Sequence, residues 1–346
     1  MAYTTINKST AHFNTKLYTG TGSENAITGV GFQPDLTWIK NRDTTDWHRL
    51  QDAVRGATKE LYSNANDDES TLAQSLKSFN TDGFTLGTLG EVNTSSENYA
   101  SWNWKAGGGQ GSSNTDGSIN TTYTSVNTTA GFSISTYTGT GSAATVGHGL
   151  GVAPKMIITK NISTTTNWHV YHEAIGATKY LHLNLTNAEG TASSVWNNTA
   201  PTSSVFSIGT GDGTNKSGDT IVAYCFAEKT GYSKFGFYTG NGSTDGAFAY
   251  TGFKPAFLLW KNSSAAEGWW IVDNKRTIIN PTNNLLRADQ NAAELVGNAN
   301  LKLDLLSNGF KLRQTDGALN SSGAKFIYMA IGQTMVGSNN VPATAR

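Results

Sequence analysis

The chain has 346 residues, with 25 Lys+Arg against 25 Asp+Glu and a formal net charge of zero. Charged residues make up only 14%, against roughly a quarter in an average soluble protein, so no broad field draws the chain to nucleic acid or an anionic membrane. Aromatics at 10% and apolar residues at 37% exclude a disordered chain, and the length suits two or three domains.

The opening MAYTTINKSTAHF has no charged region followed by an apolar stretch, so a secretory signal is not expected. No window reaches the roughly 20 apolar residues that span a bilayer. Exposure outside a cell would then come with release of an assembled particle. The single Cys225 excludes an intrachain disulfide framework and a cysteine-built zinc site; it reads as a small buried hydrophobe in a strand. With 38 Gly and 6 Pro, the pattern is many short strands joined by tight turns such as Asp82-Gly83, Asp212-Gly213 and Asn308-Gly309. Asn-x-Ser/Thr triplets at Asn7, Asn93, Asn184 and Asn241 follow from composition and carry no weight as glycosylation sites.

The first element is Leu17-Tyr18-Thr19-Gly20-Thr21-Gly22-Ser23, and it recurs as Thr136-Tyr137-Thr138-Gly139-Thr140-Gly141-Ser142 and Phe237-Tyr238-Thr239-Gly240-Asn241-Gly242-Ser243. Next comes a Pro, an apolar run and Lys-Asn: Pro34 to Lys40-Asn41, Pro154 to Lys160-Asn161, and Pro255 to Lys261-Asn262. These runs predict strands buried on both faces, with Pro tolerated at the entrance. A Trp follows at Trp47, Trp168 and Trp269, then a carboxylate at Asp52, Glu173 and Asp273. Gly-Ala-Thr-Lys appears in the first two copies, at 56–59 and 176–179. Short helical turns are expected at 68–78 and 291–296. Phe84-Thr85-Leu86, Phe206-Ser207-Ile208 and Phe310-Lys311-Leu312 precede a final alternating strand, in which Ala100, Trp102 and Trp104 share a core face. Matching positions are Tyr224 and Phe226 in the second copy, Met329 and Ile331 in the third.

Order and spacing kept three times establish an internal repeat. Its length of roughly 100–120 residues suits sandwich domains, not solenoid units. The expected fold is all-β: three tandem antiparallel β-sandwiches of the jelly-roll, concanavalin-like kind. Their bounds are 1–107, 131–230 and 231–335, with a Gly/Ser/Asn/Thr linker at 108–130 and a C-terminal tail at 336–346. The short joint near Lys229–Ser233 should hold copies two and three more firmly than the linker holds copies one and two.

The motifs Y-T-G-x-G-S, G-F-x-P-x-L-x-W-I-K-N-R and R-G-A-T-K, with the stretch GFSISTYTGTGSAATVGHGLGVAPKMIITKN of the second copy, resemble repeated lectin-like domains of marine bacteriophage virion and tail-associated proteins. The resemblance covers nearly the whole chain. It implies a virion structural protein, tail fibre, tail-associated or capsid-decorating, localised on the particle. Its partners would be other virion proteins and copies of itself, a trimer among the options, and host surface glycans in the receptor-binding alternative. The third copy departs most, lacking Arg after Lys261-Asn262 and any Gly-Ala-Thr-Lys.

For the alternative of a carbohydrate-binding lectin, the candidate residues are Trp47, Asp52, Trp168, Glu173, Trp269 and Asp273. An indole face accepts a pyranose while a carboxylate takes its hydroxyl hydrogen bonds. Against this, positions retained in every copy more commonly plug the core, with the acids capping turns or pairing with bases. Lys40, Lys160 and Lys261 are expected to meet the acid of their own repeat in a partly buried pair, as are Arg55 and Lys59. His169 and His172, three apart in a strand, point to opposite faces, and no Asp/Asn/Gly turn matches a calcium loop. No metal or other cofactor is therefore expected. No nucleophile elbow, phosphate loop or His-Glu-x-x-His occurs, so no catalytic residue is expected and a glycan-processing enzyme ranks third.

Overall fold

A computed structural model describes residues 4–334; the tail expected at 336–346 lies outside the described residues. The fold is all-β and antiparallel, and each repeat is a sandwich of a main sheet and a smaller cover sheet. In repeat 1 the main sheet runs Phe13–Thr19, Asn98–Trp104, Leu36–Asn41, Arg49–Asp52, and the cover sheet Asn25–Thr28, Gly83–Leu86, Leu76–Asn80. Repeat 3 repeats this order: Ser233–Thr239, Lys325–Gly332, Pro255–Asn262 and Trp269–Asp273, then a short fifth strand Leu286–Arg287. Its cover sheet is Phe248–Tyr250, Gly309–Leu312 and Leu303–Leu306. Repeat 2 builds its main sheet on Phe132–Thr138, Thr220–Phe226, Met156–Asn161 and His169–His172, covered by Ala144–Gly147 and Val205–Ile208.

The apolar run after each Pro is buried along its whole length, as expected, because both faces are covered. Ile39, Ile157 and Leu258 point outward into the core under their own cover sheet. Leu36 and Trp38, Met156 and Ile158, and Phe257 and Leu259 point the other way. There they meet Trp102 and Trp104, Tyr224 and Phe226, and Met329 and Ile331 in one apolar cluster drawn from all three repeats. The three sandwiches are therefore not separate bodies. Their main sheets turn inward onto a shared core.

The Y-T-G-x-G-S motif is explained by a single helical turn in each repeat, Gly90–Asn93, Asp212–Asn215 and Gly317–Asn320. The last Asn of each is buried, and its Oδ1 accepts from the backbone N–H of Thr21 (2.9 Å), Thr140 (2.8 Å) or Asn241 (2.9 Å). Its Nδ2 donates to the carbonyl of Ser23, Ser142 or Ser243. The motif Tyr hydroxyl donates to the same turn, at Val92, Thr214 or Leu319. Glycine is required beside it, since a Cβ on Gly20, Gly139 or Gly240 would stand 2.1–2.3 Å from a carbonyl oxygen.

Three expectations need correction. The stretch 68–78 holds strand residues Ser70–Thr71 and enters Leu76–Asn80, while 291–296 has no helix; their polarity reflects edge positions between turns. The segment 108–130, read as a linker, is built into the fold. Tyr123–Asn127 pairs antiparallel with Phe132–Thr138, Ile119 enters the second repeat's core, and Asp35 accepts from the backbone N–H groups of Ala106, Gly108 and Gly109. A Gly/Ser/Thr composition does not prevent order when the backbone finds partners.

Candidate functional site

Strand register corrects the alignment of the candidate residues. Leu36 faces Asp52, Met156 faces His172 and Phe257 faces Asp273. Asp52, His172 and Asp273 are thus equivalent, and so are His48, Trp168 and Trp269. Trp47 and Glu173 fall one residue out of step. Repeat 1 reaches its Trp one position early, and repeat 2 carries its carboxylate one residue after the equivalent His.

The residues in register close a ring. Trp168 Nε1 donates across the seam to the Tyr62 carbonyl of repeat 1 at 2.9 Å. Trp269 Nε1 donates to the His182 carbonyl of repeat 2 at 2.8 Å. His48 closes the circuit, its Nε2 donating to the Arg287 carbonyl of repeat 3 at 2.9 Å while its Nδ1 accepts from Trp38. A second ring of bonds runs alongside: the Glu69 amide to the Ile162 carbonyl, Glu189 to Ser263, and Glu294 to Arg42, at 2.8–3.1 Å. Each seam therefore carries the same two contacts in the same sense, which defines a pseudo-threefold closed ring. Trp168 and Trp269 are 0% and 1% exposed and offer no face to a ligand. Burial pushes the His48 imidazole well below its ordinary pKa, consistent with a neutral ring holding both bonds.

Asp52 and Asp273 are fully buried and bind the following Arg, Arg55 at 2.5 Å and Arg276 at 2.6 Å. Each also accepts a bond across a seam, Asp52 from the Tyr224 hydroxyl (2.7 Å) and Asp273 from Trp102 Nε1 (3.1 Å). Burial works to raise the Asp273 carboxyl, but the Arg276 guanidinium overcomes this and holds it below its usual value. The third seam is solved differently. Repeat 3 offers Met329, which has no donor, and repeat 2 answers with His172 and Ile175 where the others have Asp and Arg. His172 Nε2 donates instead to the Tyr328 carbonyl at 3.1 Å. Ion pair and donor were exchanged together, which is what a buried charge demands. Glu173 lies outside this system, half exposed and paired with Lys155.

Lys40, Lys160 and Lys261 are completely buried and do not meet the carboxylate expected in their own repeats. Each Nζ donates to the carbonyl of the following Asn at 2.5–2.6 Å, and Lys261 also reaches the Thr186 carbonyl across the seam. Asp52 and Asp273 are already taken by Arg55 and Arg276, and Glu173 by Lys155. Burial pulls each lysine down to about 8. The neighbouring Asn41, Asn161 and Asn262 close the strand, each Oδ1 accepting the amide two residues on at 3.0 Å. In Gly-Ala-Thr-Lys, the lysines Lys59 and Lys179 bind Glu69 and Glu189, the seam residues.

Of the three candidate indoles only Trp47 remains accessible, with 39% exposure. It borders a shallow recess of about 330 Å3 with Asp46, Arg49, Tyr62 and Glu91. Trp47 meets Tyr62 edge to face at 5.0 Å, and the Arg49 guanidinium lies 4.7 Å from the Tyr62 ring centroid. Arg49 and Tyr62 were missed in the sequence, because the Trp repeat drew attention to positions that turned out to be core. Among the described residues no three His, Cys, Asp or Glu side chains gather to hold a metal ion.

A family model described as a domain of unknown function, DUF7483, matches residues 8–334. The chain belongs to the DUF7483 family. The match spans all three repeats as one unit, in keeping with a DUF7483 fold that is a closed ring and not a string of modules. No curated protein matches this DUF7483 chain.

Proposed function

We propose that the protein is an architectural component of a bacteriophage particle, a rigid three-sandwich block that docks through its third repeat. The carrying observation is where apolar surface is left uncovered. Among the described residues, seven of the ten exposed large hydrophobic side chains belong to repeat 3: Phe237, Phe248, Tyr250, Ile278, Ile279, Leu295 and Val296. Phe248 and Tyr250 share one side of their strand, and Tyr250 and Phe237 line one groove with Tyr328. The adjoining strand Ser233–Thr239 is the last of its sheet, so its outer backbone groups are open to pairing. Phe237 and Tyr250 at an open sheet edge mark an interaction face, and the resemblance to phage virion proteins supports a particle as its setting. Copies of the chain itself and other virion proteins are the partners proposed.

Two measurements test the reading. Mass spectrometry of purified particles should recover the chain at a fixed stoichiometry; its restriction to the infected cell would reject the proposal. Light scattering should give an oligomer that Phe237→Asp with Tyr250→Asp dissociates, while the circular-dichroism spectrum stays that of the folded chain; an oligomer unaffected by the pair would reject this docking face.

A further inference from the structure

The Trp47 recess is a feature of repeat 1 alone. The equivalent positions hold Asn167 and Gly268, so ring closure does not need an indole there; His48, one residue on, makes the seam contact. Trp47 is nonetheless held in place, edge to face with Tyr62, while more than a third of its surface stays in water. An exposed, immobilised indole gives a large contact area with little side-chain entropy left to lose.

The polar groups around it are also fixed. Arg49 is only 5% exposed and is fastened to Glu60 at 2.5 Å and Glu91 at 3.1 Å, yet its Nε has no hydrogen-bond partner. Glu91 leaves 39% of its side chain exposed. Asp46 Oδ2 accepts from Asn41 Nδ2 and Thr44 Oγ1, at 2.6 and 2.9 Å, which orients the carboxylate. The recess therefore presents an aromatic platform flanked by preset acceptors and a guanidinium. Its volume sits at the small end of ligand clefts, roughly 300–1,000 Å3. Asp46, Glu60 and Glu91 outnumber the one Arg49, so an anionic ligand is disfavoured.

We propose that this recess binds an uncharged hexopyranose. The C–H face of the sugar lies on Trp47 and its hydroxyls donate to Glu91 and Asp46. The site is on a different repeat from the proposed docking face and does not depend on that assignment. It gives the chain a single weak site per copy, strengthened when copies are joined in an oligomer.

The test uses the full chain, a panel of methyl hexopyranosides followed by saturation-transfer NMR, and a glycan array for the multivalent form. Binding of neutral hexosides should weaken at least about tenfold, or 1.4 kcal/mol, in Trp47→Ala, and measurably in Glu91→Gln. The melting temperature should fall by no more than about two degrees. In the wild-type chain, the bound sugar should protect Trp47 from oxidation by N-bromosuccinimide, a readout that needs no variant. No binding across the panel, selective binding of anionic sugars, or binding undiminished by Trp47→Ala without protection of Trp47 would each overturn the proposal. A negative result here leaves the particle measurements of the preceding reading untouched, and the reverse holds equally.

Discussion

The three buried lysines should make the protein more stable as the solution becomes alkaline. Lys40, Lys160 and Lys261 each have a folded-state pKa near 8, lowered by burial, against about 10.4 in an unfolded chain. Between these values the unfolded state binds more protons, so stability rises with pH, is fully gained above the unfolded value, and is lost as pH falls through 8. From pH 7 to 9 each lysine contributes on the order of 1 kcal/mol, so the three together give several kcal/mol, on the order of 4. Cys225 opposes them, since burial raises its thiol while the unfolded thiol begins to ionise near pH 8.5; by pH 9 this removes at most about 1 kcal/mol. The net expectation is a rise of about 3 kcal/mol in urea-unfolding free energy from pH 7 to 9. Lys160→Met should flatten that rise by about a third and stabilise the chain at pH 7, where a packed thioether replaces a buried charge. A flat or falling profile, or a Lys160→Met profile parallel to wild type, would refute the argument.

Other substitutions probe the seams. Trp168→Ala should cost about 3–5 kcal/mol in denaturant unfolding, while Trp47→Ala should cost less than about 1 kcal/mol; equal losses would mean the register assignment is wrong. His172→Asp places a carboxylate where neither Arg nor a side-chain donor awaits it and should destabilise by about 3–5 kcal/mol. Adding Ile175→Arg should recover part of that loss, and failure to recover any would contradict the equivalence of the three positions. Tyr224→Phe removes a donor from buried Asp52 and should cost about 1.5–3 kcal/mol, with a non-additive cycle against Asp52→Asn; additive losses would show that the two do not interact.

Much of the fold was legible because it rests on local rules. The run Leu36–Ile39 reads as a strand buried on both faces, and the alternation of Trp102 and Trp104 with Ser101 and Asn103 gives the core face directly. The threefold recurrence of Tyr-Thr-Gly revealed the repeat, though not its cause, since the Asn that holds each turn lies some seventy to eighty residues away. Ring closure was not legible. Trp102 and Asp273 are 171 residues apart, and nothing in a periodic pattern says that the inward face of one sheet meets two others. The candidate site failed for a related reason. Counting from Lys to Trp put Trp47 with Trp168 and Trp269, whereas strand pairing puts His48 there. The connection before the strand has the same length in all three repeats, and a one-position shift of the Trp in repeat 1 separates an accessible indole from two buried ones.

Closure of three repeats around one core is tested directly by calorimetry of the whole chain. A single cooperative unit of this length should melt in one transition whose van't Hoff enthalpy equals the calorimetric value, about 240 kcal/mol near 60 °C. Resolved transitions with van't Hoff enthalpies near 80 kcal/mol each, about a third of the total, would show three sandwiches unfolding independently and would contradict the closed ring.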